Sequence, residues 1–491
     1  MITSIKTIGE LKSMGYESKS IKEELRTNLI SILKKGGSSF SGIIGFDETV
    51  IPDLERAILS KHNVLLLGLR GQAKTKIARQ LVQLLDEYIP IVEGSEINDD
   101  PLNPISKFAK EKIAELGDET PVHWIHRSER YVEKLATPDV SVADLIGDVD
   151  PIKAASLKLP YSDERVIHFG LVPHANRSIF VINELPDLQA RIQVSLFNIL
   201  QEGDLQIRGF KLRLPLDIQF VFTANPEDYT NRGSIVTPLK DRIESQILTH
   251  YPRTIEIAKN ITSQEARISK DQQDRVYVPE LAKDLLEMLS FKARDSEFVD
   301  EKSGVSARMS ITAYENLIST AERRMLKSGD LKTTARITDF WGVIPAITGK
   351  VELVYEGEQE GPYEVALHLL SKSLRDLFLE YFEHPDKQRK KEIEDPFDMV
   401  KSWFSNGNQL NLLNDDSEES YIEKLNSVDG LDKLVKKISP EAENLNFMKE
   451  LVLHGLAEFD LLTKQIVDTQ LSFIDPLANM WDDLTDSSLD N

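Results

Sequence analysis

The sequence predicts an α/β fold with a largely parallel sheet, followed by an all-α region. Three observations carry this. The apolar runs VLLLGL (64–69), SIFVINEL (178–185) and IQFVFTANP (218–226) read as strands and are separated by helical patterns. A glycine-rich loop connects the first run directly to a helix. Beyond about residue 253, apolar residues recur at helical spacing in LAKDLLEMLSFKA (281–293), SITAYENLISTAERRML (310–326) and VALHLLSKSLRDLFLEYF (365–382).

Residues 1–39 read as a helical arm, with Ile21, Leu25, Leu29 and Ile32 on one face and the breaker GGSS closing it. The α/β unit is expected over 40–252 and the helical unit over 253–382. A charged, proline-bounded stretch at 383–396 reads as a linker, and 397–475 as a smaller helical region interrupted by NDDSEES. The end, 476–491, reads as an acidic tail. A chain of 491 residues suits about three such units at roughly 150 residues each.

Lys plus Arg number 59 against 81 Asp plus Glu, a net charge of −22, which disfavours nucleic acid as a partner of the whole chain. No apolar run approaches the roughly 18 residues of a membrane span, and no signal-like block opens the sequence. The absence of cysteine excludes disulfides, thiolate metal sites and thiol catalysis, and a cytoplasmic location is expected.

The run GLRGQAKT (68–75) has the strand, loop and helix order of a phosphate cradle. Gly68 and Gly71, with Gln72 and Ala73 between them and the lysine, let backbone N–H groups turn inward on phosphates. Lys74 is then placed for the β and γ oxygens and the Thr75 hydroxyl for Mg²⁺. Ala73 stands where the usual pattern has glycine. The competing reading is a turn that happens to end in Lys-Thr.

The strand SIFVI ends in Asn183-Glu184, where nucleotide hydrolases usually place two acids. Glu184 suits the general base that orients and deprotonates water, and Asn183 offers a neutral oxygen toward the metal shell. Slow hydrolysis is one consequence, and a carboxylate at 183 is expected to raise turnover. An ordinary strand-end carboxylate is the alternative for Glu184. Asn225, closing the next strand, suits the γ-phosphate or the hydrolytic water, against simple turn formation before Pro226. Arg242 in TPLKDRIESQ and Arg308 in GVSARMSITAYENL have the spacing of phosphate-reaching guanidinium groups, the first toward a neighbouring subunit. Surface solvation is the plain alternative for both.

Taken together, GLRGQAKT, the Asn183-Glu184 strand end, Asn225, LKDRI and GVSARMS resemble the helix-2-insert clade of AAA+ ATPases, specifically MoxR-type ATPases and the ATPase subunit I of magnesium chelatase. In MoxR-type members the AKT ending is usual. DLIGDVDPIKAA (144–155), then HFGLVPHANRSIFVINEL (168–185), look like the insert hairpin and the approach to the second acidic strand of the chelatase subunit. The likeness spans about residues 40–380. It implies a three-layer P-loop core with a helical lid, Mg²⁺-ATP between subunits of a homo-oligomer, a hexameric ring, and a partner carrying a von Willebrand A domain. The expected function is ATP-driven remodelling or loading of a partner protein. The alternatives are an ATP-gated assembly module that scarcely hydrolyses and a metal-insertion subunit. Sigma-54 activation is disfavoured because the GAFTGA loop is absent.

Overall fold

The computed structural model describes residues 2–161, 163–202, 204–207, 210–226, 234–385, 395–438, 444–467 and 470–476. The chain divides into two compact units, residues 1–251 and 252–491.

The first unit is built on five strands, β1 (Val64–Leu67), β2 (Tyr131–Leu135), β3 (Ser178–Asn183), β4 (Ile218–Ala224) and β5 (Ser245–Leu248). Their order is β5-β1-β4-β3-β2, and all four pairings are parallel. The apolar runs are continuous because both faces of the central strands are covered. After a short first helix, α1 (Ile8–Ser13), the helices α2 (Ile21–Lys34), α3 (Val50–Leu59) and α4 (Lys74–Gln80) share a core on one face with Val64, Leu66, Ile179, Val181 and Val221. On the other, Leu65, Phe180, Ile182, Phe220 and Phe222 pack with α5 (Ala190–Glu202) through Ile192, Leu196 and Ile199. Helix, sheet and helix therefore form three layers.

The N-terminal helices belong to this unit's packing. Leu25 and Leu29 of α2 are buried in its core, and Glu24 takes both guanidinium nitrogens of Arg130 at 2.7 Å each. Glu24 also accepts the Asp86 N–H at 2.6 Å, and Arg130 donates from Nε to the Arg177 carbonyl at 2.9 Å. Both charges are buried yet hydrogen-bonded, so neither is left uncompensated. Gly147–Val149 and Ile167–Phe169 pair antiparallel ahead of β3, the hairpin expected from the two chelatase-like segments. Asp204–Ile207 and Phe210–Arg213 pair in the same way after α5, while Gly203 lies outside the described residues.

The second unit is mainly helical, with α6 (Glu280–Arg294), α7 (Arg308–Ser328), α8 (Pro362–Tyr381) and α9 (Leu445–Glu458). The sequence divides this stretch at 383–396, but one apolar core includes Leu374 and Phe378 before that point and Phe404, Leu451 and Leu456 after it. Gly455 on α9 explains how closely α8 lies. A Cβ there would fall 2.1 Å from the Phe378 ring, which stacks on Phe382 at 4.8 Å. Residues 386–394 of the expected linker, and 477–491 of the expected acidic tail, lie outside the described residues.

The C-terminal part is not purely helical. Strands β6 (Leu410–Leu413), β7 (Thr463–Val467) and β8 (Gln470–Ile474) form an antiparallel sheet in the order β6-β8-β7. Each run is four or five residues long, too short for its periodicity to separate strand from helix. Val467 of β7 pairs with Gln470 of β8 at one end of their ladder.

His454 on α9 is fully buried between Trp341 and Phe473, with no hydrogen-bond partner for either ring nitrogen among the described residues. Burial pushes its pKa below the ordinary value of 6.5, although the Glu450 carboxylate lies 3.8 Å away and Glu458 also favours the cation, while Lys464 opposes it. The folded state thus holds the imidazole neutral where the unfolded chain would protonate it. This contribution to stability is present above pH 6.5 and is lost as pH falls below it. Urea unfolding of the second unit at pH 7 and pH 5 should show this loss, and His454→Leu should make it smaller. An equal loss in both chains would assign the acid sensitivity elsewhere.

Candidate functional site

Parallel strands buried on both faces leave polar chemistry to their ends, and here the carboxyl ends of β1, β4 and β3 lie side by side. The loop after β1 begins at Gly68, whose N–H donates to the Ala224 carbonyl of β4 at 3.2 Å. A Cβ at Gly68 would lie 2.1 Å from Thr249 Oγ1 and 2.2 Å from Gln72 Oε1, so any larger residue here must displace both side chains. Thr249 donates to Gln72 Oε1 at 2.7 Å, and its N–H donates to the Leu67 carbonyl at 2.8 Å. The Tyr251 hydroxyl reaches the Arg70 carbonyl at 2.9 Å. The residues following β5 therefore clasp the loop from one side.

Two loop residues take left-handed backbone, Gly71 at φ 74° and Ala73 at φ 55°. The Ala73 position explains why the usual pattern has glycine there. A methyl group is tolerated at a cost of about 1–2 kcal/mol. The α4 helix then starts with Lys74 and Thr75 in its first turn.

Lys74 and Asn225 are brought together. The Lys74 ammonium donates to Asn225 Oδ1 at 2.7 Å, to the Leu69 carbonyl at 2.9 Å and to the Gly68 carbonyl. A positive charge is thus held at the mouth of the loop, between β1 and β4. Anionic phosphate oxygens are stronger acceptors for it than neutral carbonyls.

Asn183 and Glu184 join the same edge through Thr223 of β4. The Glu184 N–H donates to Thr223 Oγ1 at 3.1 Å, and that hydroxyl donates to Asn183 Oδ1 at 3.1 Å. Glu184 itself sits at φ 57°, ψ 48°, an uncommon backbone for a non-glycine residue and one that recurs at functional positions. Asn183 Nδ2 donates to Glu133 Oε1 at 2.6 Å, and Glu133 Oε2 accepts from Arg79 Nε at 3.0 Å and the Tyr131 hydroxyl at 3.1 Å. Burial, then the Glu133 carboxylate, raise the Tyr131 pKa, so its hydroxyl stays a donor.

The two arginines make other contacts. Arg242 stacks over the Phe197 ring of α5 with 5.5 Å to the centroid and pairs with Asp241, its side chain 40% exposed. Arg308 is the first residue of α7 in the second unit, with its N–H on Ser306 Oγ at 3.1 Å.

Glu133, Arg79, Thr223, Thr249 and Tyr251 escape sequence reasoning. Thr223 had a signal, since it stands near the end of β4, two positions before Asn225. Glu133 and Thr249 had none, because their partners are remote in sequence.

Among the described residues, no group of three or more His, Cys, Asp or Glu is arranged to hold a metal.

No family model matches the sequence, and no curated protein does. Among solved structures, a candidate ATPase from Cytophaga hutchinsonii is similar at 16% identity over 74% of this chain and 98% of that one, with a TM-score of 0.30. The BchI–BchD complex of magnesium chelatase is similar at 20% identity over 65% of this chain and 98% of that one, TM-score 0.34. Hsp104 in its closed state with ATPγS and FITC-casein is similar at 15% over 66% and 53%, TM-score 0.38. At these scores the phosphate-loop fold rests on the strand order and loop geometry of this chain.

Gly68→Ala should lower the melting temperature, with a cost of about 1–3 kcal/mol for displacing Thr249 and Gln72. Ala73→Gly should raise stability by about 0.5–1 kcal/mol, because relief of left-handed strain exceeds the added unfolded-state entropy. Thermal unfolding of both variants checks the loop geometry, which an unchanged Gly68→Ala protein would contradict.

Proposed function

We propose that the chain is an ATPase of the AAA+ type that couples ATP binding and hydrolysis to remodelling or loading of a partner protein. The observation that carries this reading is the Lys74 ammonium held on Asn225 at the mouth of a glycine loop, with Glu184 one strand further along. Lys74 binds the β and γ phosphates, and the loop N–H groups cradle them. Asn225 orients the γ-phosphate or the attacking water, and Glu184 accepts the proton of that water. Mg²⁺ bound with ATP would be held by the Thr75 hydroxyl and would neutralise phosphate charge. Asn183, beside Glu184 at the end of β3, carries an amide and not an acid.

Arg242 suits a role at a neighbouring subunit's site, since its side chain is partly exposed on the first unit. Arg308 couples the second unit to nucleotide. A homo-oligomer, with a hexameric ring as the family-type assembly, and a client with a von Willebrand A domain complete the reading, supported by the motif resemblance. Metal insertion as one subunit of a chelatase is the same machinery with a different client.

A second reading is an ATP-gated assembly module with little turnover. The observation favouring it is that both polar atoms of Asn183 are engaged by Glu133 and Thr223.

Lys74→Ala should weaken ATP binding about 10- to 100-fold, the loss of one charge-assisted phosphate contact, while the fold persists. Glu184→Gln should keep binding and lower phosphate release about 100-fold. Calorimetric ATP titration and steady-state phosphate release check both. Undiminished affinity in Lys74→Ala would remove the phosphate-loop assignment, and tight binding with negligible wild-type turnover would select the second reading.

A further inference from the structure

The polar atoms around Asn183 leave no freedom in how its amide is turned. A carboxylate only accepts, so the NH₂ group must face Glu133, at 2.6 Å. With the NH₂ turned to Glu133, Asn183 presents Oδ1 to Thr223, whose oxygen accepts the Glu184 N–H and whose single proton goes to that Oδ1. On the far side, Glu133 Oε2 is held by Arg79 and Tyr131. The chain of donors and acceptors closes without a conflict only if residue 183 is neutral and residue 133 is charged.

We propose that Asn183 and Glu133 are a charge-exchanged pair: the carboxylate expected at the end of β3 is carried one strand over, on β2, and Asn183 is neutral because Glu133 is not. Glu133 is then a positioning residue. It fixes the Asn183 amide, and through Thr223 the backbone of Glu184, while its charge is balanced by Arg79 on α4, the helix that follows the phosphate loop. Calling the pair part of a catalytic site rests on the ATPase reading, whereas the pairing itself does not.

The pairing reverses what residue 183 alone suggests. Asn183→Asp would set two carboxylates 2.6 Å apart, with Arg79, 63% exposed, on the far oxygen of one of them. Exchanging both residues removes the conflict. In Asn183→Asp with Glu133→Gln, the Gln NH₂ donates to the new carboxylate, its carbonyl accepts from Arg79 and Tyr131, and Thr223 still donates to residue 183.

The test compares the full-length chain, the two single variants and the double variant by thermal unfolding, with hydrogen exchange on peptides spanning 131–135 and 178–184. Asn183→Asp should lower the melting temperature by roughly 5–10 °C and speed exchange in both strands. The double variant should return to within about 2 °C of the parent and recover slow exchange. A neutral Asn183→Asp, or a double variant no better than the sum of its singles, would overturn the pairing. If Asn183→Asp does not fold, recovery of a folded chain by the added Glu133→Gln reads the same rescue, and failure to recover overturns it. ATPγS binding across a Mg²⁺ titration accompanies these measurements. Stability rescue without nucleotide binding by any chain would uphold the pair and remove the ATPase reading.

Discussion

The three central strands of the five-stranded parallel sheet, β1, β4 and β3, are covered on both faces and offer water only their ends, and this constraint organises the first unit. The side chains of Val64 to Leu67, Ile179 to Ile182 and Phe220 to Phe222 alternate between two apolar cores, which leaves no place for a polar group along their length. Charge and hydrogen-bonding capacity collect where the strands stop. Because β1, β4 and β3 are neighbours, Lys74, Asn225, Thr223, Asn183 and Glu184 meet there although they span 110 positions of sequence between residues 74 and 184 and more to 225. The buried Glu24–Arg130 pair ties the N-terminal helix to this unit with every strong donor and acceptor engaged.

At that edge the structure accepts local backbone cost. Ala73 and Glu184 both take left-handed backbone, one turning the chain into the α4 helix and the other turning it out of β3. Strain of this kind persists where surrounding contacts over-determine the position. For Ala73 those contacts are the clasp of Thr249 on Gln72 and Tyr251 on Arg70, and for Glu184 the hydrogen bond to Thr223. The polar network from Arg79 through Glu133 and Asn183 to Thr223 then joins the two turns.

The second unit follows a different logic, with several of its strongest polar groups buried and each satisfied separately. Glu450 accepts from the N–H groups of Ile337 and Thr338 at 2.9 and 3.0 Å and from the Tyr421 hydroxyl at 2.6 Å. Arg324 is fixed bidentately on Asp339, at 3.1 and 2.9 Å. Among the described residues neither ring nitrogen of His454 has a hydrogen-bond partner, and burial among aromatic rings favours its neutral form.

The sequence by itself determined the α/β class, the three central strands, the phosphate loop with its lysine, and the helical character of the second unit. Each of these is a local pattern: a run of apolar residues, a glycine spacing, a period of 3.6. The Ala73 departure was visible too, but its meaning came from the φ of 55° that the position requires. Tertiary structure decided the rest. The strand order, the inclusion of Leu25 and Leu29 in the first core, and the three-stranded sheet at β6, β7 and β8 depend on contacts between segments remote in sequence. So does the assignment of charge at the site. Asn183 reads as a missing acid when seen alone, and only the parallel register of β2 with β3, which sets Leu135 beside Asn183 and Glu133 beside Val181, shows that a carboxylate is there on the neighbouring strand. No pattern within one segment encodes a hydrogen bond between two strands that the chain brings together from 50 residues apart.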